Sequence, residues 1–329
     1  MDVDFDALFE GLRQFKIGVV GDVMLDTYLW GHVERISPEA PVPIVTLTRK
    51  DYRLGGAANV SLNLKALGAE VEVFSVTGDD EDAVVLFNHF QKEGIGTGSI
   101  IKSKSRLTTN KSRVISRNQQ MMRLDSEITT DLSEADENAL IEAIRKFVTT
   151  QKPAVIVLED YNKGVLTTRV ISETVRICKE HGVLTTVDPK KKNFLSYKGV
   201  SIFKPNLKEV REALNIEGDF SLEELNNIHQ VLHNELQHDV SLITLSERGV
   251  FYQQQNNSRI IPSHFRNIAD VSGAGDTVIA VASLVYAATH DIDLATSVSN
   301  IAGGLVCEEV GTVAINSQQL LEECKLLLS

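Results

Sequence analysis

Asp270-Val271-Ser272-Gly273-Ala274-Gly275-Asp276, running into the apolar stretch Thr277 to Ala288, joins a carboxylate to a small-residue turn at the start of a helix. Gly and Ala at 273 to 275 let backbone N–H groups approach a ligand closely, and the helix behind them adds the positive end of its dipole. Such a turn suits a phosphate. A carboxylate beside it is costly unless it takes a proton from an attacking hydroxyl during phosphoryl transfer, which makes Asp276 a candidate base and Gly273, Ala274 and Gly275 its anion-binding turn. An Asp near a helix N-terminus also serves as a cap, so this segment alone is open to both readings.

A second glycine-rich turn, Gly55-Gly56-Ala57-Ala58-Asn59, opens another helical pattern, in which Val60, Leu62, Leu64 and Leu67 are apolar and Gly68 is the stop. The two turns are far apart in the chain, yet in a single α/β sheet they converge at one crevice. Between them, apolar strands alternate with helical patterns. Strands are expected over 16–21, 71–76, 154–159, 183–187, 201–204 and 240–244. Helices are expected over 56–67, 80–93, 133–149, 168–181, 207–214, 222–236, 275–288 and 294–307. The alternation predicts an α/β fold with a doubly wound, mostly parallel sheet flanked by helices, whose ligands bind beyond the carboxyl ends of the strands. Two stretches break it: 41–48 reads as a strand, and 108–116 with 121–125 reads as two more around a polar turn at 117–120. No repeat, low-complexity tract or linker divides residues 1–329, so they are read as one domain.

Composition agrees with a compact enzyme. The chain has 329 residues, 43% of them hydrophobic, and 33 Lys and Arg against 45 acids give a net charge of −12, which disfavours nucleic-acid and anionic-membrane partners. Cys178, Cys307 and Cys324 lack metal-ligand spacing and read as buried free thiols of a reducing compartment. The acid-rich start, residues 1–15, is unlike a signal peptide, and no apolar run approaches transmembrane length, so a cytoplasmic location is expected.

Together the two glycine-rich turns resemble the signature segments of the ribokinase-like sugar kinases, a Gly-Gly-x-x-Asn sugar-binding turn and an Asp-x-x-Gly-Ala-Gly-Asp catalytic turn. Residues 35–43 (Arg-Ile-Ser-Pro-Glu-Ala-Pro-Val-Pro), 116–120 (Ser-Arg-Asn-Gln-Gln) with 123–125, 160–164 (Asp-Tyr-Asn-Lys-Gly) and 187–190 (Val-Asp-Pro-Lys) resemble the subgroup acting on D-glycero-D-manno-heptose 7-phosphate. Two departures are Ser272, where Thr is more usual, and Val281, where the broad family has a small residue. The resemblance implies ATP and Mg²⁺, with a monovalent cation as an option, and a small β-sheet lid over the sugar formed by the extra strands near 41–48 and 108–125. It also implies a homodimer. Some members of the subgroup carry a second, nucleotide-transferring domain; no His-x-Gly-His turn stands in these residues, so only the kinase half is expected here.

Within that frame, Asp22, at the carboxyl end of the first strand, and Asp26 are placed to accept sugar hydroxyls alongside Gly55, Gly56 and Asn59, although Asp22 also suits turn chemistry. Asn206-Leu207-Lys208-Glu209 has capping-box spacing and also resembles the family's nucleotide and magnesium segment, so Asn206 and Glu209 are candidate metal contacts through water. Thr244, Ser246 and Gly249 read as a turn along a nucleotide or as a plain turn, and Asn300, in a small-residue helix, as an adenine contact or as packing. A phosphorylated sugar needs cations: Lys111, Arg113, Arg117, Arg123, Lys163 and Lys190 are candidates, Arg117 and Lys163 first, with Asp160 beside them. A kinase for another sugar, or a non-catalytic sugar-binding regulator, are the rival readings. A dinucleotide oxidoreductase is disfavoured by the lack of Gly-x-Gly-x-x-Gly.

Overall fold

The structure is a computed structural model that describes residues 3–117, 119–218 and 220–328; Asn118 of the polar turn lies outside them. Its frame is a sheet of nine strands. Seven are parallel: β1 (Lys16–Gly21), β4 (Glu70–Gly78), β5 (Gly96–Ser103), β8 (Val155–Glu159), β9 (Leu184–Asp188), β10 (Ile202–Phe203) and β11 (Val240–Thr244). A hairpin, β12 (Val250–Gln254) and β13 (Asn257–Ile261), extends one edge antiparallel. The order is β13-β12-β11-β10-β9-β8-β1-β4-β5. From β1 the chain moves outward through β4 and β5, then returns to β8 on the other side of β1. The switch point therefore lies between β1 and β8, where an open α/β sheet leaves a crevice beyond its strand ends.

Successive side chains of a strand point to opposite faces, and the two apolar cores divide accordingly. In β8, Val155 and Val157 join one core while Ile156 and Leu158 join the other; in β4, Val71 and Val73 part in the same way from Phe74 and Val76. The first core is covered by α1 (Phe5–Leu12), α2 (Ala57–Ala66), α3 (Glu81–Glu93), α8 (Ala274–Thr289), α9 (Ile292–Val306) and α10 (Ser317–Leu327). The second is covered by α4 (Glu134–Gln151), α5 (Thr168–Glu180), α6 (Leu207–Leu214) and α7 (Leu222–Leu236). The expected doubly wound fold is present. The three cysteines are buried and free, and burial pushes the Cys178 thiol up to about 12.

The strands that break the alternation form a separate four-stranded sheet, ordered β3-β2-β6-β7, from β2 (Val23–Ile36), β3 (Pro43–Gly56), β6 (Thr109–Ser116) and β7 (Gln119–Ser126). It is larger than expected: β2 was not foreseen, and β3 continues from the 41–48 stretch into Gly55-Gly56. The reason is burial. β2 begins inside the protein and ends exposed, so it has no inward and outward alternation to detect. The short edge elements β5, β12 and β13, and the terminal helices α1 and α10, were likewise not expected.

Candidate active site

Helix α8 is buried on all sides from Asp276 to Tyr286, as its apolar run dictates. Gly303 lets α9 pack closely against it, because a Cβ there would stand 2.7 Å from Val278 Cγ2. The N-cap Gly273 has φ +81°, and a Cβ there would stand 2.8 Å from Asn59 Nδ2. This glycine thus permits both the left-handed turn and the approach of Asn59. Asp276, 3% exposed, accepts from Asn59 Nδ2 at Oδ2 and from Tyr161 Oη at Oδ1, each at 2.8 Å. Asn59 is itself held by Asn63, whose Nδ2 donates to the Asn59 carbonyl at 2.9 Å and whose Oδ1 accepts from Thr277 and from Ile315 N–H. The two glycine-rich turns therefore do converge, joined by a hydrogen bond between Asn59 and Asp276. Among the described residues the N–H groups of Gly275 and Asp276 have no partner, as the first turn of a helix leaves them.

Beyond the strand ends lies a cavity of about 560 Å³, lined by Tyr161, Asp188, Lys190, Lys204, Gly273 and Asp276 and, on the far wall, by the 206–208 and 244–248 segments. Its floor is a compact charge cluster. Glu159, Asp188 and Asp276 carry carboxylate oxygens all within 4.8 Å of one another, a spacing that fits a cation. Two ammonium groups already occupy that role: Lys190 Nζ reaches Asp188 Oδ1 at 3.1 Å and Glu209 Oε1 at 2.8 Å, and Lys204 Nζ reaches Asp188 Oδ2 at 2.8 Å. Burial opposes ionisation of Asp188, but the two lysines outweigh it and hold its carboxyl below the usual range. Burial pushes Asp276 up to about 6, against the pull of the Asn59 and Tyr161 hydrogen bonds. Glu159 is raised well above an ordinary carboxyl by burial and then by Asp188 and Asp276, and neither of its oxygens has a hydrogen-bond partner among the described residues.

On the β1 side, Asp22 does not face the cavity. Its carboxylate accepts three backbone N–H groups, from Tyr161 and Lys163 at Oδ2 (2.8 and 3.0 Å) and from Val165 at Oδ1 (3.1 Å). It thus secures the 160–165 loop at the switch point, which is the turn chemistry open to it from the sequence. Arg106 secures the same loop from outside, donating to the Lys163 and Thr130 carbonyls. Gly56 has φ +58° and lies against the Asp22 carbonyl; Gly55 makes room for Asp26, whose Oδ2 would stand 2.4 Å from a Cβ there. Asp26 Oδ1 pairs with Arg113 at 2.6 Å. Asp160 is buried away from the cavity, accepting from Tyr197 Oη and Asn162 N–H, each at 2.7 Å, and burial raises it to about 6.

Of the cationic candidates, Lys163 pairs with Glu127 at 2.8 Å and Arg123 with Asp125 at 2.8 Å. Lys111 pairs with no acid among the described residues; its ammonium lies 5.1 Å from the Tyr161 ring centroid, and burial, then Lys163, lowers its pKa. Arg117 is exposed at the end of β6, about 20 Å along the strand from Lys111 at ~3.3 Å per residue. On the far wall, Asn206 and Glu209 form the capping box of α6: Asn206 Oδ1 accepts from Glu209 N–H at 2.9 Å and Glu209 Oε2 from Asn206 N–H at 2.8 Å. Leu207, Lys208, Thr244 and Ser246 line the cavity with Asn206. Gly249, at φ +96°, lies against Ile261 O, and Asn300 donates to Pro262 O at 2.8 Å; neither lines the cavity.

Residues 14–319, which take in this acid and its helix N-terminus, match the pfkB family of carbohydrate kinases. The chain belongs to that family. This pfkB-family protein is an ATP-dependent carbohydrate kinase. It is 38% identical over 322 residues to the bifunctional protein HldE of Geotalea uraniireducens and 40% identical over 310 residues to that of Aliarcobacter butzleri. Those matches take in 97% and 93% of the chain but only 65% and 64% of the relatives' lengths. Among solved structures, Escherichia coli phosphofructokinase-2 in complex with potassium superposes with a TM-score of 0.77 at 15% identity, covering 94% of this chain and 99% of that one. Arabidopsis thaliana ribokinase with ribose and ATP gives 0.73 at 14% identity, covering 94% and 99%. At such identities the likeness is one of fold. No helix among the described residues is long and apolar enough to cross a membrane.

Tyr161, Lys204, Glu159 and Arg106 were not singled out from the sequence. A signal existed for two: Glu159 ends the apolar run Val155–Leu158, and Lys204 follows Ile202-Phe203, so each is a charge at the carboxyl end of a buried strand. Arg106 gave none, because its partners are distant in the chain, and Tyr161 stood only within the 160–164 segment, with nothing there to mark its link to Asp276.

Proposed function

We propose that this kinase transfers the γ-phosphoryl group of ATP to the anomeric hydroxyl of D-glycero-D-manno-heptose 7-phosphate, giving the 1,7-bisphosphate used in nucleotide-activated heptose and lipopolysaccharide core synthesis. The observation that carries the reading is Asp276, clamped by Asn59 and Tyr161 beside two unpartnered helix N–H groups at the edge of a cationic cavity. Asp276 takes the hydroxyl proton, and the N–H groups of Gly275 and Asp276 stabilise charge on the phosphoryl oxygens. The anchored turn around Gly55, Gly56 and Asn59, with Asp26, orients the sugar, so positioning supplies much of the acceleration.

Lys190 and Lys204, with Lys208, Thr244 and Ser246, suit the phosphates and ribose of ATP. Magnesium, when bound, neutralises charge between the transferring phosphates. Glu209 and Asn206 spend their side chains on the capping box and on Lys190, so they suit an ion held through water. Lys111, without an acidic partner among the described residues, and Lys163 are the cations best placed for the 7-phosphate, whereas Arg117 stands too far along the lid to join them. Relatives described as bifunctional, of which this chain spans 65% and 64%, agree with the heptose-kinase segments of the sequence. Exposed Ile36, Leu47, Met122 and Leu124 on the lid favour a homodimer, and the buried free thiols a cytoplasmic setting.

The test is ADP release with D-glycero-D-manno-heptose 7-phosphate, fructose 6-phosphate, fructose 1-phosphate and ribose offered in parallel. Turnover confined to the heptose phosphate is expected, with Asp276→Asn lowering kcat steeply while ATP still binds. Turnover with another sugar alone overturns the substrate, and silence across the panel with ATP bound points to a regulator.

A further inference from the structure

We infer that Tyr161 is a positioning residue for the catalytic base, its phenol O–H holding the Asp276 carboxylate in the orientation from which it accepts the sugar proton. Tyr161 stands just past the end of β8, and each of its parts has one task. Its backbone N–H donates to Asp22 Oδ2, which ties the loop to the end of β1. Its Oη donates to Asp276 Oδ1 at 2.8 Å, on the opposite oxygen from Asn59. Its ring carries two ammonium groups, Lys111 from the lid at 5.1 Å and Lys190 from the segment after β9 at 5.4 Å.

Two donors, one on each oxygen, fix the plane of a carboxylate as one donor cannot. Each oxygen keeps a further lone pair, so Oδ1 can accept the sugar hydroxyl while Tyr161 stays in place. The phenol remains a donor, since burial and then Asp276 raise its own pKa well above the usual range. The other charged groups facing Asp276 are Glu159 from β8, Asp188 and Lys190 at and after the end of β9, and Lys204 after β10. These keep their places when only the Tyr161 hydroxyl is removed. Nothing else then changes around the base.

The inference rests on Asp276 acting as the base, and the test separates the two. The pH dependence of kcat/KM is measured for wild type, Tyr161→Phe and Asp276→Asn, and the Asp276 carboxyl is titrated directly by ¹³C NMR in substrate-free wild type and Tyr161→Phe. Wild type is expected to show an acid limb near pH 6, where Asp276 titrates. Loss of a donor to the ionised form moves that limb upward by about one pH unit in Tyr161→Phe, a roughly fivefold loss at pH 6 that fades by pH 9. The NMR midpoint moves with it. KM for the sugar phosphate stays within about twofold, because the backbone tie to Asp22 is intact. An unmoved limb and an unmoved NMR midpoint, with Asp276→Asn inactive, overturn the role of Tyr161 and leave the base in place. Activity in Asp276→Asn overturns the base itself, and the NMR titration then decides whether Tyr161 governs the carboxyl at all.

Discussion

Replacing Lys204 by Met tests whether the charge cluster beneath the active site is as tightly balanced as its geometry implies. Lys204 is 2% exposed and Asp188, its partner at 2.8 Å, is 4% exposed, so water cannot screen the charge left behind. Met keeps most of the apolar stem and removes the ammonium, leaving Asp188 and Asp276 with Lys190 alone. Breaking a buried pair by removing one partner costs about 3–5 kcal/mol. At roughly 2.1 cal/mol/K per residue, 329 residues unfold with an entropy of about 0.7 kcal/mol/K, so ~4 kcal/mol corresponds to a drop of about 6 °C in Tm. The assay is calorimetry without nucleotide, so that lost ATP contacts do not enter. Lys204→Met combined with Asp188→Asn, which removes both charges, should cost clearly less than the sum of the single variants. A Tm within 1 °C of wild type for Lys204→Met, or strict additivity in the double variant, would refute the balance argued here.

Gly273→Ala forces a Cβ to within 2.8 Å of Asn59 Nδ2 at a residue with φ +81°, so it should cost about 1–2 kcal/mol in stability and lower kcat at least tenfold by displacing the Asn59 donor from Asp276. Wild-type kcat and Tm in that variant would show that the turn has slack. Glu159→Gln probes the unpartnered acid: a carboxyl raised above its ordinary 4.5 stabilises the fold below that value and loses that contribution as pH rises toward its folded value. Thermal scans should therefore show the stability of Glu159→Gln rising relative to wild type from pH 5 to pH 8, by about 1.4 kcal/mol for each pH unit between the two pKa values, and a relative stability that stays flat or falls over that range contradicts a protonated Glu159.

The α/β alternation, the glycine-rich turns and most helix boundaries were legible in the sequence because each depends on neighbours in the chain. Helices α6 and α7, at Leu207–Leu214 and Leu222–Leu236, begin at capping boxes written within four residues, and they occur where their periodicity places them. Gly273 and Gly56 stand where the backbone turns left-handed, a demand that glycine meets locally. The lid was only partly legible. Strand β2 passes from the core to solvent, so its hydrophobicity follows depth instead of face.

What the tertiary structure alone decided is how the charges are shared. From the sequence, Asp22 was open to sugar contact or turn chemistry and Lys190 was one of six candidate cations; in the fold Asp22 holds three backbone N–H groups of the 160–165 loop, and Lys190 bridges Asp188 and Glu209. Tyr161, which stands in the 160–164 segment but carried no role from the sequence, donates to an acid 115 positions away. Residue type and local spacing determine which chemistry a chain can perform and which turns can bind phosphate. Which carboxylate stays free to act depends on the partners that parallel strands deliver side by side from distant segments, and on the burial that makes each of those pairings costly to break.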